Sequence, residues 1–307
     1  MIHGQVVKST GSWYIVRKDD GGFLPCRLKG KFRLKGIKHT NPLTVGDWVN
    51  LEMEPDSANG VIFAIDERKN YIIRKANNMS KQTHIIASNL DQSMLIITLL
   101  FPKTSLGFID RFLVTSEAYH VPAVLVFNKA DLYEGEAEEL LHQTMDLYRK
   151  IGYTCLKTSI KTGEGLADLK ATLKDKTSLL SGHSGVGKSS LLNAIEAGLN
   201  LKTQAISNYS EKGQHTTTFA EMHALSFGGN IIDTPGIREF GLVDFADAEV
   251  SHYFKEMQNI LTQCRFNNCK HISEPNCAVQ AAVEAGIISE ERFSSYLSIM
   301  SKEDIYE

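Results

Sequence analysis

No apolar run in this chain approaches the eighteen or so residues that a membrane-spanning helix needs. The first ten residues, MIHGQVVKST, lack the apolar core of a secretory signal. Both absences point to a protein of the cytosol that engages no membrane. Cysteine is scarce and odd in number, with five residues. Three of them, Cys264, Cys269 and Cys277, crowd into one stretch. That argues against a disulfide framework and for a reducing compartment with a metal site. Charge of one sign is not in excess either: 33 Lys and Arg stand against 36 Asp and Glu, a formal net charge of −3. A polycation is excluded, so a nucleic-acid partner would have to be met by local patches. The remaining composition, 42% hydrophobic and 22% charged over 307 residues, suits two or three ordinary globular domains.

What is present centres on residues 179–190, LLSGHSGVGKSS. Gly182, His183, Ser184, Gly185, Val186, Gly187, Lys188 and Ser189 match G-x-x-x-x-G-K-[ST], and Ser190 follows. Small glycines let successive backbone N–H groups face one anion. Lys188 can reach terminal phosphates, where it would also serve catalysis, and the Ser189 hydroxyl can ligate Mg²⁺. A helix starting near Lys188 would aim its positive end at the same phosphates. The bland alternative is a glycine turn between strand and helix. Thr177 to Ser181 as strand and Ser190 to Glu196 as helix supply the frame that a phosphate loop requires.

Two further stretches address the base and the γ-phosphate. Asn128-Lys129-Ala130-Asp131 follows an apolar run, Val121 to Phe127, and so falls at a strand's carboxyl end, where open α/β sheets bind ligands. The Asp131 carboxylate can accept from the ring N–H and exocyclic amine of guanine. Adenine presents an acceptor at that ring position, so a carboxylate repels it. Asn128 would tie the segment to the phosphate loop, and the Lys129 stem would lie along the base. Asp233-Thr234-Pro235-Gly236 follows the strand Asn230 to Ile232. Asp233 would address Mg²⁺ through water, and the Gly236 N–H the γ-phosphate.

The order of these pieces is permuted. Ras-like GTPases run phosphate loop, switch I, DxxG, NKxD and a Ser-Ala-Lys-type loop. Here NKAD comes first, then Thr158-Ser159-Ile160-Lys161, the phosphate loop, His215-Thr216-Thr217-Thr218, and DTPG. The join lies between Lys161 and Leu179, with Gly165 to Lys174 as the former last helix. Termini close in space make such a cut tolerable. With this order the chain resembles the circularly permuted, ribosome-small-subunit-dependent GTPases, the RsgA/YjeQ family. The resemblance covers nearly the whole chain. It implies an OB-like barrel over residues 1–70, a permuted GTPase over 71–240 and a helical zinc domain over 241–307. It also implies a GTP-to-GDP hydrolase acting in late maturation of the small (30S) subunit and touching its 16S rRNA, with a monomer expected. A GTP-gated RNA-binding module, or a GTPase serving translation more generally, are the competing readings.

The rest of the chain fits that scheme. Gly4 to Lys8, Trp13 to Arg17, Phe23 to Leu28, Asp47 to Met53 and Val61 to Asp66 read as short strands of a small barrel, OB or SH3-like. Lys29, Lys31, Arg33, Lys35 and Lys38 form an acid-free segment near Phe32, Trp13, Tyr14 and Phe23. That combination is either a nucleic-acid surface or a solvated loop beside core aromatics. Tyr71 to Leu90 reads as a connector. Gln92 to Leu100 is a buried strand, Gly107 to Tyr119 and Glu134 to Arg149 are helices, and Tyr153 to Lys157 is a strand ending at Ser159 and Lys161, which would back the guanine. Phe219 to Phe227 and Asn230 to Thr234 pair around Gly228-Gly229. Asn200 to Gln214 is polar and reads as a switch, and one of Thr216, Thr217 and Thr218, with Thr217 the choice, would ligate Mg²⁺. The position after the DxxG glycine is Ile237, which cannot hold a water. His215 is either the group that orients that water or an exposed loop histidine. Finally, Cys264, Cys269, His271 and Cys277 place three thiols and an imidazole within fourteen residues. Four such ligands close a tetrahedral, structural Zn²⁺ site, the alternative being free cysteines in a helical domain. Asp247 to Gln263 and Val279 to Met300 read as its flanking helices.

Overall fold

Alternating burial organises the N-terminal region. In the computed structural model, which describes residues 1–30, 42–75, 83–199, 220–233 and 247–301, its strands are β1 Ile2–Ser9, β2 Tyr14–Lys18, β3 Phe23–Leu28, β4 Trp48–Met53 and β5 Gly60–Ile65. In β3, Leu24 and Cys26 turn inward while Phe23, Pro25 and Arg27 face out. The strands pair in the order β1-β2-β3-β5-β4, and β4 returns to β1 to close the barrel. β3 and β5 run parallel, the other pairs antiparallel. This order is that of the OB fold and decides against an SH3-like barrel. Val6, Val16, Cys26, Leu43, Val49, Leu51 and Ile62 fill the interior.

The connector after the barrel is a hairpin. β6 Tyr71–Lys75 and β7 Thr83–Ser88 pair antiparallel as their own two-stranded sheet. Of the next four strands, three are buried along their whole length because helices cover both faces, and the third in chain order is partly exposed at the sheet edge. They are β8 Gln92–Ile97, β9 Ala123–Phe127, β10 Thr154–Lys157 and β11 Thr177–Ser181. Between them lie the helices α1 Leu106–Ala118, α2 Glu136–Ile151 and α3 Leu166–Leu173, and α4 Lys188–Ile195 follows β11. β12 Glu221–Ala224 and β13 Asn230–Asp233 form the expected antiparallel pair. The sheet order is β10-β9-β8-β11-β13-β12, parallel except for β12. Side chains sort by strand parity. Leu95, Ile97, Leu125 and Phe127 join the core under α1 and α2. Met94, Ile96, Val124 and Val126 join the core under α3 and α4.

The barrel is joined to this sheet by main chain and by charge. β1 pairs with β12 at Lys8 and Glu221, whose side chains form an ion pair of 2.9 Å. Asp47, fully buried, accepts from Arg68 Nε and Nη2 at 2.7 Å each, from the Ser88 hydroxyl at 2.6 Å and from the Thr44 N–H at 2.8 Å.

The C-terminal region departs from the sequence reading in two places. Asp247 to Gln263 is broken into a 3-10 turn at Asp247–Tyr253, a short helix α5 at Lys255–Gln258 and a second 3-10 turn at Leu261–Gln263. Phe254 adopts an extended backbone (φ −95°, ψ 104°), with its ring edge-on to Tyr296 at 5.5 Å. That tertiary contact outweighs helix propensity. Val279 to Met300 is two helices, α6 Ala278–Glu284 and α7 Glu290–Ser301. Gly286 at φ 69° ends the first, with the N–H groups of Gly286 and Ile287 returning to Val283 and Ala282. The Ser289 hydroxyl starts the second by accepting from the Arg292 N–H at 3.2 Å.

Candidate nucleotide site and metal cluster

Parallel pairing carries the separated motifs to one edge of the sheet. Ile97 pairs with Phe127 and Phe127 with Lys157, so β8, β9 and β10 end together. Leu180 pairs with Asp233, so β11 and β13 end beside them. The NKAD segment, Thr158 to Lys161, the phosphate loop and Asp233 therefore share the carboxyl edge, the ligand-binding edge of open α/β sheets.

The phosphate loop is shaped by its glycines. Gly182, Gly185 and Gly187 have φ of 143°, 84° and 94°. A Cβ on Gly182 would lie 2.5 Å from the Ile96 carbonyl, and one on Gly187 would lie 2.6 Å from Asn128 Nδ2. Gly187 also precedes α4 as its N-cap and, having no side chain, puts no cap of its own over the first-turn N–H groups that include Ser189 and Ser190. Ser184 is exposed and Val186 is buried. Lys188 Nζ donates to the carbonyls of Gly182 at 2.6 Å and His183 at 3.0 Å. Burial lowers the Lys188 pKa, and the Asp233 charge opposes that. The cation therefore sits in the loop, within electrostatic reach of the β13 carboxylate.

The NKAD segment docks directly on this loop. Asn128, 1% exposed, donates through Nδ2 to the Val186 carbonyl at 2.9 Å. Lys129 takes a left-handed backbone (φ 61°), and its Nζ donates to the carbonyls of Gly185 and Phe101 at 2.7 Å each. Its stem is thereby drawn out along the loop. The Ala130 N–H bonds the Thr158 carbonyl at 3.0 Å. The Ser159 hydroxyl donates to Asp131 Oδ1 at 2.6 Å, and Lys161 Nζ stands 4.0 Å from Oδ2. The Ser159 hydroxyl thus orients the carboxylate, with the exposed Lys161 ammonium at the edge of ion-pair distance.

Three partners escaped sequence reading. The Thr158 hydroxyl donates to Asn128 Oδ1 at 3.1 Å and holds the amide's orientation. Its place beside Ser159 was the available signal. The Phe101 carbonyl receives Lys129, and a carbonyl leaves no sequence signal. Phe108 of α1 lies against the His183 ring, centroids 4.1 Å apart. His215, Thr216, Thr217, Thr218, Gly236 and Ile237 lie outside the described residues, as do Lys31, Phe32, Arg33, Lys35, Lys38 and the segment 200–214.

In the C-terminal region the ligand atoms of Cys264, Cys269, His271 and Cys277 all lie within 4.8 Å of one another. His271 Nδ1 is 3.5 Å from Cys264 Sγ and 3.4 Å from Cys277 Sγ. A tetrahedron with Zn–S and Zn–N arms of about 2.3 and 2.1 Å has S–N edges of about 3.6 Å. The cluster therefore fits a cation at its centre. Burial pushes the Cys269 thiol up to about 12, with Cys277 and Cys264 adding to it. A bound cation would be needed to draw off those protons.

A family description for the RsgA GTPase matches residues 65–243, and one for the RsgA N-terminal domain matches residues 3–62. The chain belongs to the RsgA GTPase family. A protein of Flavobacterium johnsoniae named small ribosomal subunit biogenesis GTPase RsgA is 53% identical over 304 residues, covering 98% of this chain and 93% of its own. Small ribosomal subunit biogenesis GTPase RsgA 2 of Bacteroides thetaiotaomicron is 50% identical over 303 residues, covering 99% and 97%. Two solved structures share the architecture. YjeQ from Thermotoga maritima superposes with a TM-score of 0.79 at 37% identity, covering 98% of both chains. YloQ, described as a circularly permuted GTPase, gives 0.74 at 30% identity, covering 98% of this chain and 95% of that one. The family is one of GTP hydrolases, and the permuted order read from the motifs agrees with the description of YloQ. Among the described residues, no helix is long and apolar enough to cross a membrane.

Proposed function

We propose that this chain hydrolyses GTP on the small ribosomal subunit during its late assembly, slowly alone and faster when docked. The observation that carries the nucleotide reading is the pair of bonds from Asn128 and Lys129 to the carbonyls of Val186 and Gly185. They hold a guanine-reading carboxylate, Asp131, at a fixed span from a phosphate cradle. In this reading Asp131 accepts from the guanine edge, with Ser159 and Lys161 orienting it. The backbone of Gly182 to Ser190 cradles the phosphates. Lys188 leaves its two loop carbonyls for the β- and γ-phosphates, which supply charge in place of neutral dipoles. Ser189, Asp233 and Thr217 would hold Mg²⁺, whose chemistry is to neutralise charge developing between the β- and γ-oxygens. The Gly236 N–H would meet the γ-phosphate, and His215 would orient the attacking water.

The same reading assigns Zn²⁺ to the Cys264, Cys269, His271 and Cys277 cluster as a structural ion with no open position. It divides the chain at residues 1–70, 71–240 and 241–307, supported by an apolar cluster inside the barrel and another in the C-terminal region that takes in only Val114 of α1 from the central region among its buried residues. It places the protein in the cytoplasm as a monomer, with 16S rRNA met by the barrel and the zinc loop. Multiple-turnover GTP hydrolysis with and without purified 30S subunits tests it. Slow basal turnover and strong stimulation are expected. Fast turnover by the lone protein, or indifference to subunits, refutes it. His215→Ala should keep nucleotide binding and lose stimulation.

A further inference from the structure

Helix α1 is gripped on two sides by other parts of the chain. On one side the Phe108 ring rests on the His183 imidazole of the phosphate loop, at 4.1 Å and a tilt of 36°. His183 also provides one of the carbonyls that hold Lys188 Nζ, at 3.0 Å. Two residues along the helix, Asp110 leaves roughly 200° away, on the opposite side. Its Oδ1 accepts from Arg292 Nη1 of α7 at 2.6 Å and from the Tyr148 hydroxyl of α2 at 2.7 Å. The Arg292 side chain is fully buried and that of Asp110 is 1% exposed. Arg292 also grips Glu256 of α5 through Nε at 2.6 Å and Nη2 at 3.0 Å, with its guanidinium 4.6 Å from the Phe254 ring centroid.

A buried cation must keep its anions, because leaving one unpaired in a low-dielectric interior is strongly unfavourable. The C-terminal region therefore cannot shift away from Asp110 without drawing α1 along. α1 is a single helix of 13 residues whose core side chains are packed, so it moves as a unit. Phe108 then moves against His183, and with it the carbonyl that positions Lys188. We infer that Asp110 and Phe108 are positioning residues of the phosphate loop. Through them Arg292 makes the grip on nucleotide sensitive to what docks on the C-terminal region, the small subunit in the reading above. This rests on the nucleotide-site reading of Gly182 to Ser189.

The test uses the full chain and a fluorescent GDP, with release rates measured by stopped flow and folding by circular dichroism. Asp110→Asn and Phe108→Leu should each speed release roughly three- to tenfold, a modest coupling. The double variant should release no faster than the faster single variant, because both act on one route. Glu117→Gln breaks the Lys255–Glu117 ion pair of 2.9 Å between the same two regions and touches neither residue. It should leave release unchanged. Multiplying effects in the double variant, or equal effects of Glu117→Gln and Asp110→Asn, overturn the inference. If Asp110→Asn does not fold, amide exchange over residues 290–301 decides. GDP should slow it in the wild type and not in Phe108→Leu, and equal protection overturns the inference. A wild-type chain that binds no GDP would instead sink the nucleotide-site reading.

Discussion

Gly187 offers a quantitative probe of how the NKAD segment, proposed to read guanine, and the phosphate loop depend on each other. Gly187→Ala places a methyl group on a backbone at φ 94°, a left-handed conformation that costs an L-residue about 1–2 kcal/mol. The new Cβ would also stand 2.6 Å from Asn128 Nδ2. That amide cannot swing aside cheaply. It is 1% exposed, donates to Val186 and accepts from Thr158. Moving it forfeits a hydrogen bond and strands a buried polar group, about 1–3 kcal/mol. The total is about 2–5 kcal/mol. Because the strain falls on the loop that must close round phosphate, most of it should appear as lost affinity. At 1.4 kcal/mol per tenfold, the loss is about thirtyfold or more. Two companions separate the contributions. Gly185→Ala, at φ 84°, meets only Pro102 at 3.5 Å, so it carries the backbone strain without the clash. Gly163→Ala, at φ 80° with nothing within 4 Å, carries the same strain away from the loop. Equilibrium titration with fluorescent GDP should rank the losses Gly187→Ala, then Gly185→Ala, then Gly163→Ala, while melting separates binding from folding. A Gly187→Ala chain binding GDP as well as Gly185→Ala would refute the reasoning.

Arg68→Met leaves the fully buried Asp47 without its cation, so the barrel seam should lose about 3–5 kcal/mol, read as a fall in the denaturant midpoint. A loss below about 1 kcal/mol would contradict that. His3 is stacked on Trp48 at 5.1 Å with Asp19 and Asp66 at its two ring nitrogens. Burial lowers its pKa, but the two carboxylates prevail and raise it above 6.5. Its stabilisation is therefore full below pH 6.5 and lost as pH rises through the elevated value. His3→Gln should lower the melting temperature more at pH 6 than at pH 8.5, and a pH-independent difference would count against the pairing. Elemental analysis should find roughly one zinc per chain. Chelation should unprotect the amides of residues 278–301 while shifting GDP affinity severalfold at most, and unchanged exchange would remove the metal from the fold.

Much of this molecule was legible because the relevant signals are local. Apolar runs marked β8 and β9, glycine spacing marked the phosphate loop, and Cys/His spacing marked the cluster. Reading failed where distant contacts override local preference. Phe254 is pulled out of helical geometry by Tyr296 and Arg292, so α5 is a fragment. The connector is a hairpin whose strands find each other rather than a neighbour in the main sheet. Barrel type stayed open because OB and SH3-like barrels share strand lengths and differ in which strands pair. The roles of Thr158 and Phe101 exist only relative to Asn128 and Lys129, so no local pattern reveals them.

The amino-acid sequence alone determined the set of motifs, their permuted order and the residue types available to phosphate, base and metal, since those depend on spacing along the chain. The tertiary structure alone decided that strands β8, β9, β10, β11 and β13 end in register, which puts motifs scores of residues apart onto one edge. It also decided that Asp47 meets Arg68 and Asp110 meets Arg292. Such pairings follow from burial, which makes each charge seek its partner across the fold, and no local pattern encodes where that partner will be.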